Sequence, residues 1–370
     1  MNTEKDRNSS FELMRIASMF MIVIWHIILH TNMFNTATGT KGYIVEFIYL
    51  IIIIHVNSFV LVTGYFQYNK TIKSKKILGL IGSVWFYNII FTTIAVILNI
   101  QKITKVEFLE NTSILNINSY WFINYYIALY FLTPYINKMI AALDQGKHRK
   151  IIIILFIAFS IIPMITKQRT LANDGRTIIS FIFLYLIGAY FGKYRIADSY
   201  HFRRNSNIKN RFIFLTLTLF FGILNFVGYR FGLELIDSTN SILKDIGYTI
   251  QIGSTNFSNP LVILESVFYF LFFETLDIKN KFISKLGGLT FGIYLIHENY
   301  YVCNNIYKYE KFNLYSTDNL VLVRIFMVAT ILFIISLLIE FFRKLICSKI
   351  LNTKFMKKIE KKYDKFVREF

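Results

Sequence analysis

Apolar residues run through this chain in blocks about twenty positions long, separated by short polar and basic connections, without the strict alternation of a half-buried strand. A helix rising ~1.5 Å per residue needs about 20 such residues to cross the hydrocarbon of a bilayer. On that scale the pattern predicts ten spans, at 12–29, 43–66, 77–99, 119–137, 151–166, 177–192, 212–229, 258–276, 286–303 and 320–342. The eighth is the least regular, because Asn256, Ser258, Asn259 and Pro260 blur its start and Glu265 and Glu274 interrupt it. The expected fold class is all-α, a polytopic membrane helix bundle of about ten transmembrane helices. No hydrophilic stretch is long enough for a second domain, and the longest connection, 230–257, has the length of one helical hairpin. Residues 1–342 therefore read as one transmembrane domain. Residues 343–370 read as a basic cytoplasmic tail, in which Leu345, Ile346, Ile350, Phe355 and Ile359 recur at helical spacing, as in an amphipathic helix lying on an anionic leaflet.

Composition excludes a soluble protein: 55% of the 370 residues are hydrophobic and there are only three prolines. The formal net charge of +19 raises nucleic acid as a partner, but its distribution points to a membrane instead. Assigned to alternate connections, 29 Lys and Arg fall on the side of the termini and ten on the other. That bias places both termini in the cytoplasm, and ten spans give the same parity. Membrane lipids are then expected partners and nucleic acid is not. Cys303 and Cys347 fall on opposite sides, so no disulfide framework is expected. The first apolar run continues through Trp25 and His26 without a small-residue cleavage pattern, and it reads as an uncleaved span.

Within that first span Arg15 and His26 stand eleven residues apart. At roughly 100° per residue they lie within ~20° of one helix face, and at ~1.5 Å per residue they are about 16 Å apart along the axis. Ionisable groups at such depth are costly unless they face the bundle interior, so the pair is a functional candidate. His26 sits about two thirds of the way to the exterior, and the expected topology puts His55 and His297 at a similar depth. Histidine is the natural general base near neutral pH, although any one of these rings also fits a hydrogen-bonded packing role. His26 and His30 have the i, i+4 spacing of metal ligands, but no Glu lies between them and no further ligand clusters near them in sequence, so no metal is expected. The chain has no Walker loop, no dinucleotide-type glycine turn and no nucleophile elbow. Asn57, Ser58, Thr63 and Gly64 in the second span either let helices approach closely or line a channel floored by Lys70, Lys73, Lys75 and Lys76, which would attract phosphates. Gly287, Gly288 and the run Phe291–His297 have the same mixed character.

These residues together resemble a known family. Arg15 and His26, the run Asn57-Ser-Phe-Val-Leu-Val-Thr-Gly-Tyr-Phe66, Trp121-Phe-Ile with Pro134 thirteen positions on, and Phe291-Gly-Ile-Tyr-Leu-Ile-His297 are similar, in that order, to the acyltransferase-3 family, and most of all to stand-alone polysaccharide O-acetyltransferases of Gram-positive bacteria. The resemblance implies a protein of the bacterial cell membrane that binds no resident cofactor. It would move an acyl group, usually acetyl from cytosolic acetyl-CoA as co-substrate, to a hydroxyl of a cell-envelope glycan or lipid-linked oligosaccharide. It implies Arg15 and His26 as the essential pair. The family's Arg-x-x-Arg element is matched here by Lys73 and Lys76, which keep the charge and lose the bidentate fork. Its Ser-Gly is Thr63-Gly64. Under this reading Lys73, Lys76 and Arg15 hold the CoA phosphates, Ser58 and His297 serve binding, and His26 acts as general base or transient acyl carrier, the former being preferred. Glu265 and Glu298 are the candidates to orient its imidazole.

Two other classes compete. A transporter of glycan or lipid-linked sugar would use buried His and Arg for coupling, but the sequence shows neither repeat symmetry nor paired broken helices. A membrane scaffold would make the polar pairs structural.

Overall fold

A computed structural model describes residues 9–71, 74–100, 102–113, 120–166, 173–194, 207–307, 314 and 320–351, and within them the chain is helical with no strand. The first helix, α1 (Ser9–His30), contains neither Gly nor Pro and runs unbroken. Its start is tied down by Ser9, whose amide donates to the Ile278 carbonyl (2.9 Å) and whose hydroxyl accepts from the Asn280 amide (2.8 Å). Phe11, Met14, Val23, Ile27 and Ile28 are buried on several faces of the helix, as expected of an element surrounded by others rather than by lipid. Around it stand α2 (Gly39–Ile51), α3 (His55–Gln67), α4 (Ser74–Ile97), α5 (Trp121–Ala142), α6 (Gln145–Thr166), α7 (Ile178–Tyr194) and α8 (Asn207–Ile236). Then come α9 (Ser241–Ser254), α10 (Pro260–Glu274), α11 (Lys281–Gly287), α12 (Thr290–His297) and α13 (Val321–Leu351).

Six helical stretches among the described residues are long and apolar enough to cross a membrane: α1, the α2–α3 stretch Gly39–Gln67, Lys75–Ile97, α6, Ile208–Ile236 and Val321–Cys347. The protein is thus an all-α polytopic membrane bundle. The other expected spans differ for physical reasons. The fourth, α5, is 22 residues long but carries Asn124, Asn137 and Lys138. The sixth, α7, is apolar but has only 17 residues. The eighth begins late, where the Asn259 side chain accepts from the Leu261 amide and Pro260 occupies the first helical turn. The ninth is three pieces, α11, α12 and Tyr300–Asn305, interrupted after Gly287 and again at Glu298 and Asn299. The second is broken at 52–54, immediately before His55. The second and ninth expected spans are therefore broken helices, which the sequence pattern does not show as a pair, and they flank the candidate residues. The long connection 230–257 holds α9, which turns back on α8 at the Gly232–Gly247 crossing.

The pair α3 and α7 is also packed backbone to backbone. A Cβ on Gly64 in α3 would overlap the Tyr185 carbonyl of α7, and a Cβ on Gly188 would overlap the Leu61 carbonyl. Gly64 is thus explained by close helix approach, the commoner reading of small residues in a membrane helix. In α5 the Thr133 hydroxyl donates to the Tyr130 carbonyl (2.7 Å), the group that loses its helical donor at Pro134. The last helix does not end at 342. It continues to Leu351, with a half-buried Arg343 paired with Glu340, so the helix runs past the boundary expected at 342. The rest of the expected tail lies outside the described residues. Contacts also show which helix ends share a side: Phe11 packs on Tyr65 at 4.9 Å between ring centroids, and Lys344 donates to the Gly288 carbonyl.

Candidate active site

Between α1, α3, α4, α5 and α12 lies a cavity of about 270 Å3. Arg15 and Lys76 line it toward one side of the bundle, and His26 and His55 line it about three helical turns deeper. The eleven-residue spacing thus delivers both α1 side chains to one continuous space. The breaks before His55 and around α12 let two further segments present side chains to it, where irregular backbone at membrane depth is tolerated because it faces a cavity.

At the shallow end the Arg15 guanidinium donates to Glu12 (2.9 Å), one turn earlier on α1, and carries no other hydrogen bond among the described residues. Glu12 is buried and fits against Gly287, where a Cβ would collide with it. Lys76 places its ammonium over the Tyr130 ring at 4.7 Å from the centroid. Lys73 lies outside the described residues. Thr63 also lines the cavity, its hydroxyl 3.2 Å from that of Tyr126.

At the deep end the hydrogen bonds fix the tautomers. His297 Nδ1 lies 2.7 Å from the Ile293 carbonyl, which can only accept, so Nδ1 carries the proton and Nε2 the lone pair. That Nε2 lies 3.0 Å from His26 Nδ1, which must then be the donor. The remaining nitrogen of His26, Nε2, is left with a free lone pair. Glu298 Oε2 stands 3.0 Å from His26 Nδ1 and 3.2 Å from His30 Nε2. An imidazolium at His26 would have a carboxylate beside it. His26 is 6% exposed and His297 is fully buried, so the pair is held away from bulk water.

His297 therefore supports His26 from behind rather than facing the cavity. Ser58 does not line the cavity either: its hydroxyl donates to the Ile54 carbonyl (2.8 Å), one turn back on the broken span, and Thr63 takes the cavity position. Of the two acidic candidates Glu298 reaches His26, whereas Glu265 packs against Gly222. The three imidazoles placed at one depth do converge, with His55 also at the cavity.

Other groups at the site had little or no sequence signal. The Arg176 guanidinium stacks 5.1 Å from the Trp121 ring and 5.7 Å from that of Phe257. It is carried on a turn in which Asp174 (φ 56°) accepts the Phe257 amide at 3.2 Å and Gly175 (φ 80°) leaves room for Phe257. Such a tertiary sandwich has no periodicity to betray it. Two sets of donors, His26–His297–Glu298 and His30–Glu298–Cys303, also have the composition of a metal site, since Glu298 and Cys303 arrive from the broken ninth segment. Within the first set the His26–Glu298 and His26–His297 separations are both 3.0 Å, and within the second His30 lies 3.2 Å from Glu298, all of them hydrogen-bond lengths.

A protein-family model described as an acyltransferase domain, acyltransferase-3 type, matches residues 8–339. No curated protein and no solved structure matches the chain. With nine tenths of the sequence inside the matched region, the chain belongs to the acyltransferase-3 family and is a membrane acyltransferase.

Proposed function

We propose that this acyltransferase moves an acetyl group from cytosolic acetyl-CoA to a hydroxyl of a cell-envelope glycan or lipid-linked oligosaccharide. It would act as a stand-alone O-acetyltransferase of a bacterial plasma membrane with both termini in the cytoplasm. The observation that carries the reading is the single cavity joining cationic Arg15 and Lys76 to the unprotonated Nε2 of His26. Arg15 and Lys76 supply positive charge for the CoA phosphates at the cytoplasmic mouth, and Lys73, three positions before Lys76 in sequence, is the further cation the proposal includes. The thioester then extends up the α1 face toward His26.

The chemistry follows from the proton positions. His26 Nε2 removes the proton of the acceptor hydroxyl as its oxygen attacks the thioester carbonyl. The imidazolium so formed is stabilised by Glu298 beside Nδ1 and by the hydrogen bond to His297. When the tetrahedral intermediate collapses the carbon–sulfur bond breaks, and the sulfur takes the proton back from Nε2 to leave as free CoA thiol. No covalent enzyme intermediate is required for these steps. The test is acetyl-CoA-dependent acylation by the full chain in nanodiscs, followed with isotope-labelled acetyl-CoA and a lipid-linked oligosaccharide. Stoichiometric appearance of labelled ester and free CoA is the expected result. A labelled glycan that crosses the bilayer unmodified, with acetyl-CoA untouched, would instead mark a transporter.

A further inference from the structure

The deep end of the cavity holds a group of polar atoms with nothing to bond to. Trp25 Nε1, both ring nitrogens of His55 and the Tyr294 hydroxyl are buried without a hydrogen-bond partner, and all three residues line the cavity. Their residue exposures are 4%, 1% and 6%. A buried polar group left unmade costs about 1–3 kcal/mol, so three such residues in one place are not a packing accident. The base reading uses none of them: His26 is satisfied through His297, and no hydrogen bond joins His55 to either.

The pattern of these atoms describes a ligand. The Trp25 indole can only donate, a neutral His55 offers one donor and one acceptor, and the Tyr294 hydroxyl does both. Such a mixture is complementary to a set of hydroxyls, each of which also donates and accepts. A carboxylate or phosphate would call for donors alone. Aromatic surface stands beside them. The Phe257 ring is 5.8 Å from His55 and 6.1 Å from Trp25, and it stacks at 5.8 Å on Trp121, with both rings lining the cavity. Aromatic faces with interspersed donors and acceptors suit a pyranose, which presents apolar C–H faces and a polar rim.

We infer that Trp25, His55 and Tyr294 form the acceptor subsite, holding one hydroxylated sugar ring of the acceptor so that one of its hydroxyls meets His26 Nε2. The inference rests on the proposed O-acetyl transfer and specifies what that reading leaves open, the residues that select the acceptor. Donor and acceptor then approach His26 from different directions, the thioester along α1 from Arg15 and the sugar from the side of α3 and α12. Position beside His26 fits this division, since Trp25 is its neighbour in sequence and its ring lies 5.4 Å from that of His55.

The experiment uses the full chain in nanodiscs with acetyl-CoA and a panel of methyl glycopyranosides, read as acetylated sugar by mass spectrometry and as free CoA thiol. Trp25→Phe and Tyr294→Phe each remove one polar atom and keep the ring. His55→Leu removes the imidazole, and His55→Gln restores a donor and an acceptor. The expected result is a sugar KM raised roughly three- to ten-fold by each single-atom change, with the acetyl-CoA KM unchanged and His55→Gln milder than His55→Leu. Tyr294→Phe should not lower the melting temperature, because its hydroxyl has no partner to lose, so this variant guards against misfolding. A shift in the acetyl-CoA KM, unchanged constants, or a wild type that acetylates other alcohols and no sugar would each overturn the subsite while leaving acyl transfer standing. A wild type that consumes no acetyl-CoA would overturn the proposed function and the subsite with it.

Discussion

Two buried polar networks in this bundle invite comparison. In one, Glu340 of α13 receives the Tyr87 hydroxyl (2.7 Å) and a two-point contact from Arg343 (2.6 and 2.7 Å), and it fills the space above Gly292, where a Cβ would collide with it. Both carboxylate oxygens are taken. In the other, His26, His297 and Glu298 are joined as closely, yet the chain of bonds ends on His26 Nε2, which faces a cavity. Burial and short distances are common to both. The difference is that the first network is closed, so its energy can only go into holding α4, α12 and α13 together, while the second is open by one atom at one end. An open end beside empty space, rather than an unusual residue, marks the reactive centre.

That contrast breaks most decisively at His26. Replacing it with Ala should lower acyl transfer on the order of 10³-fold, within the ~10²–10⁴ expected of a general base, and leave membrane insertion intact, with stability lowered only by the about 1–3 kcal/mol of the unmade bonds to His297 and Glu298. A parallel collapse of melting temperature and activity would show the network to be structural after all. Glu340→Ala should do the reverse. Removing one partner of a buried ion pair costs ~3–5 kcal/mol, so the variant should unfold at lower temperature in detergent while its folded fraction keeps a normal KM. A Glu340→Ala protein as stable as wild type would mean that the closed network carries no load.

Smaller effects sharpen the distinction between making the base and orienting it. His297→Phe removes the acceptor that fixes the His26 tautomer and should lower kcat by roughly 10- to 100-fold with both KM values retained. An equal rise in KM would place His297 in binding instead. At the shallow end, Arg15→Lys should raise the acetyl-CoA KM about ten-fold if the planar fork grips phosphate, and leave it unchanged if Arg15 only anchors α1. Lys76→Gln should raise the same constant by only about two- to five-fold and flatten its dependence on ionic strength, as for a point charge at a partly screened mouth. Protease accessibility checks that topology has survived the lost charge.

The sequence made the helical, membrane-embedded character of the fold legible because bilayer thickness imposes a length on every apolar run. It also made Arg15 and His26 legible as a pair, since both lie on one uninterrupted helix whose periodicity can be counted. The convergence of His55 and His297 on the same depth followed from topology. What stayed hidden depends on where helices stop. The break at 52–54 falls in an unbroken isoleucine run, and the one at Glu298–Asn299, although polar in itself, falls inside a segment of spanning length; the broken ninth segment is what carries Glu298 to His26. Arg176 appeared only as one more loop cation, because its partners Trp121 and Phe257 are far away along the chain. Arg343 appeared as the first residue of a basic cytoplasmic tail for the same reason, its ion pair with Glu340 being visible only once α13 is seen to continue.

The uninterrupted run of α1 has a further consequence. Arg15 and His26 sit on one rigid rod, so the helix works as a ruler, with a graduation of about 16 Å between the charged mark and the basic one. No loop between them can absorb an inserted or deleted residue. One added residue turns His26 by about 100° out of the cavity, whereas three or four restore its direction and lengthen the measure by about 5 Å. Length selection of the donor arm would therefore change only in whole helical turns. A relative handling a longer or shorter donor would be recognisable by a jump in that spacing, with no graded intermediates between.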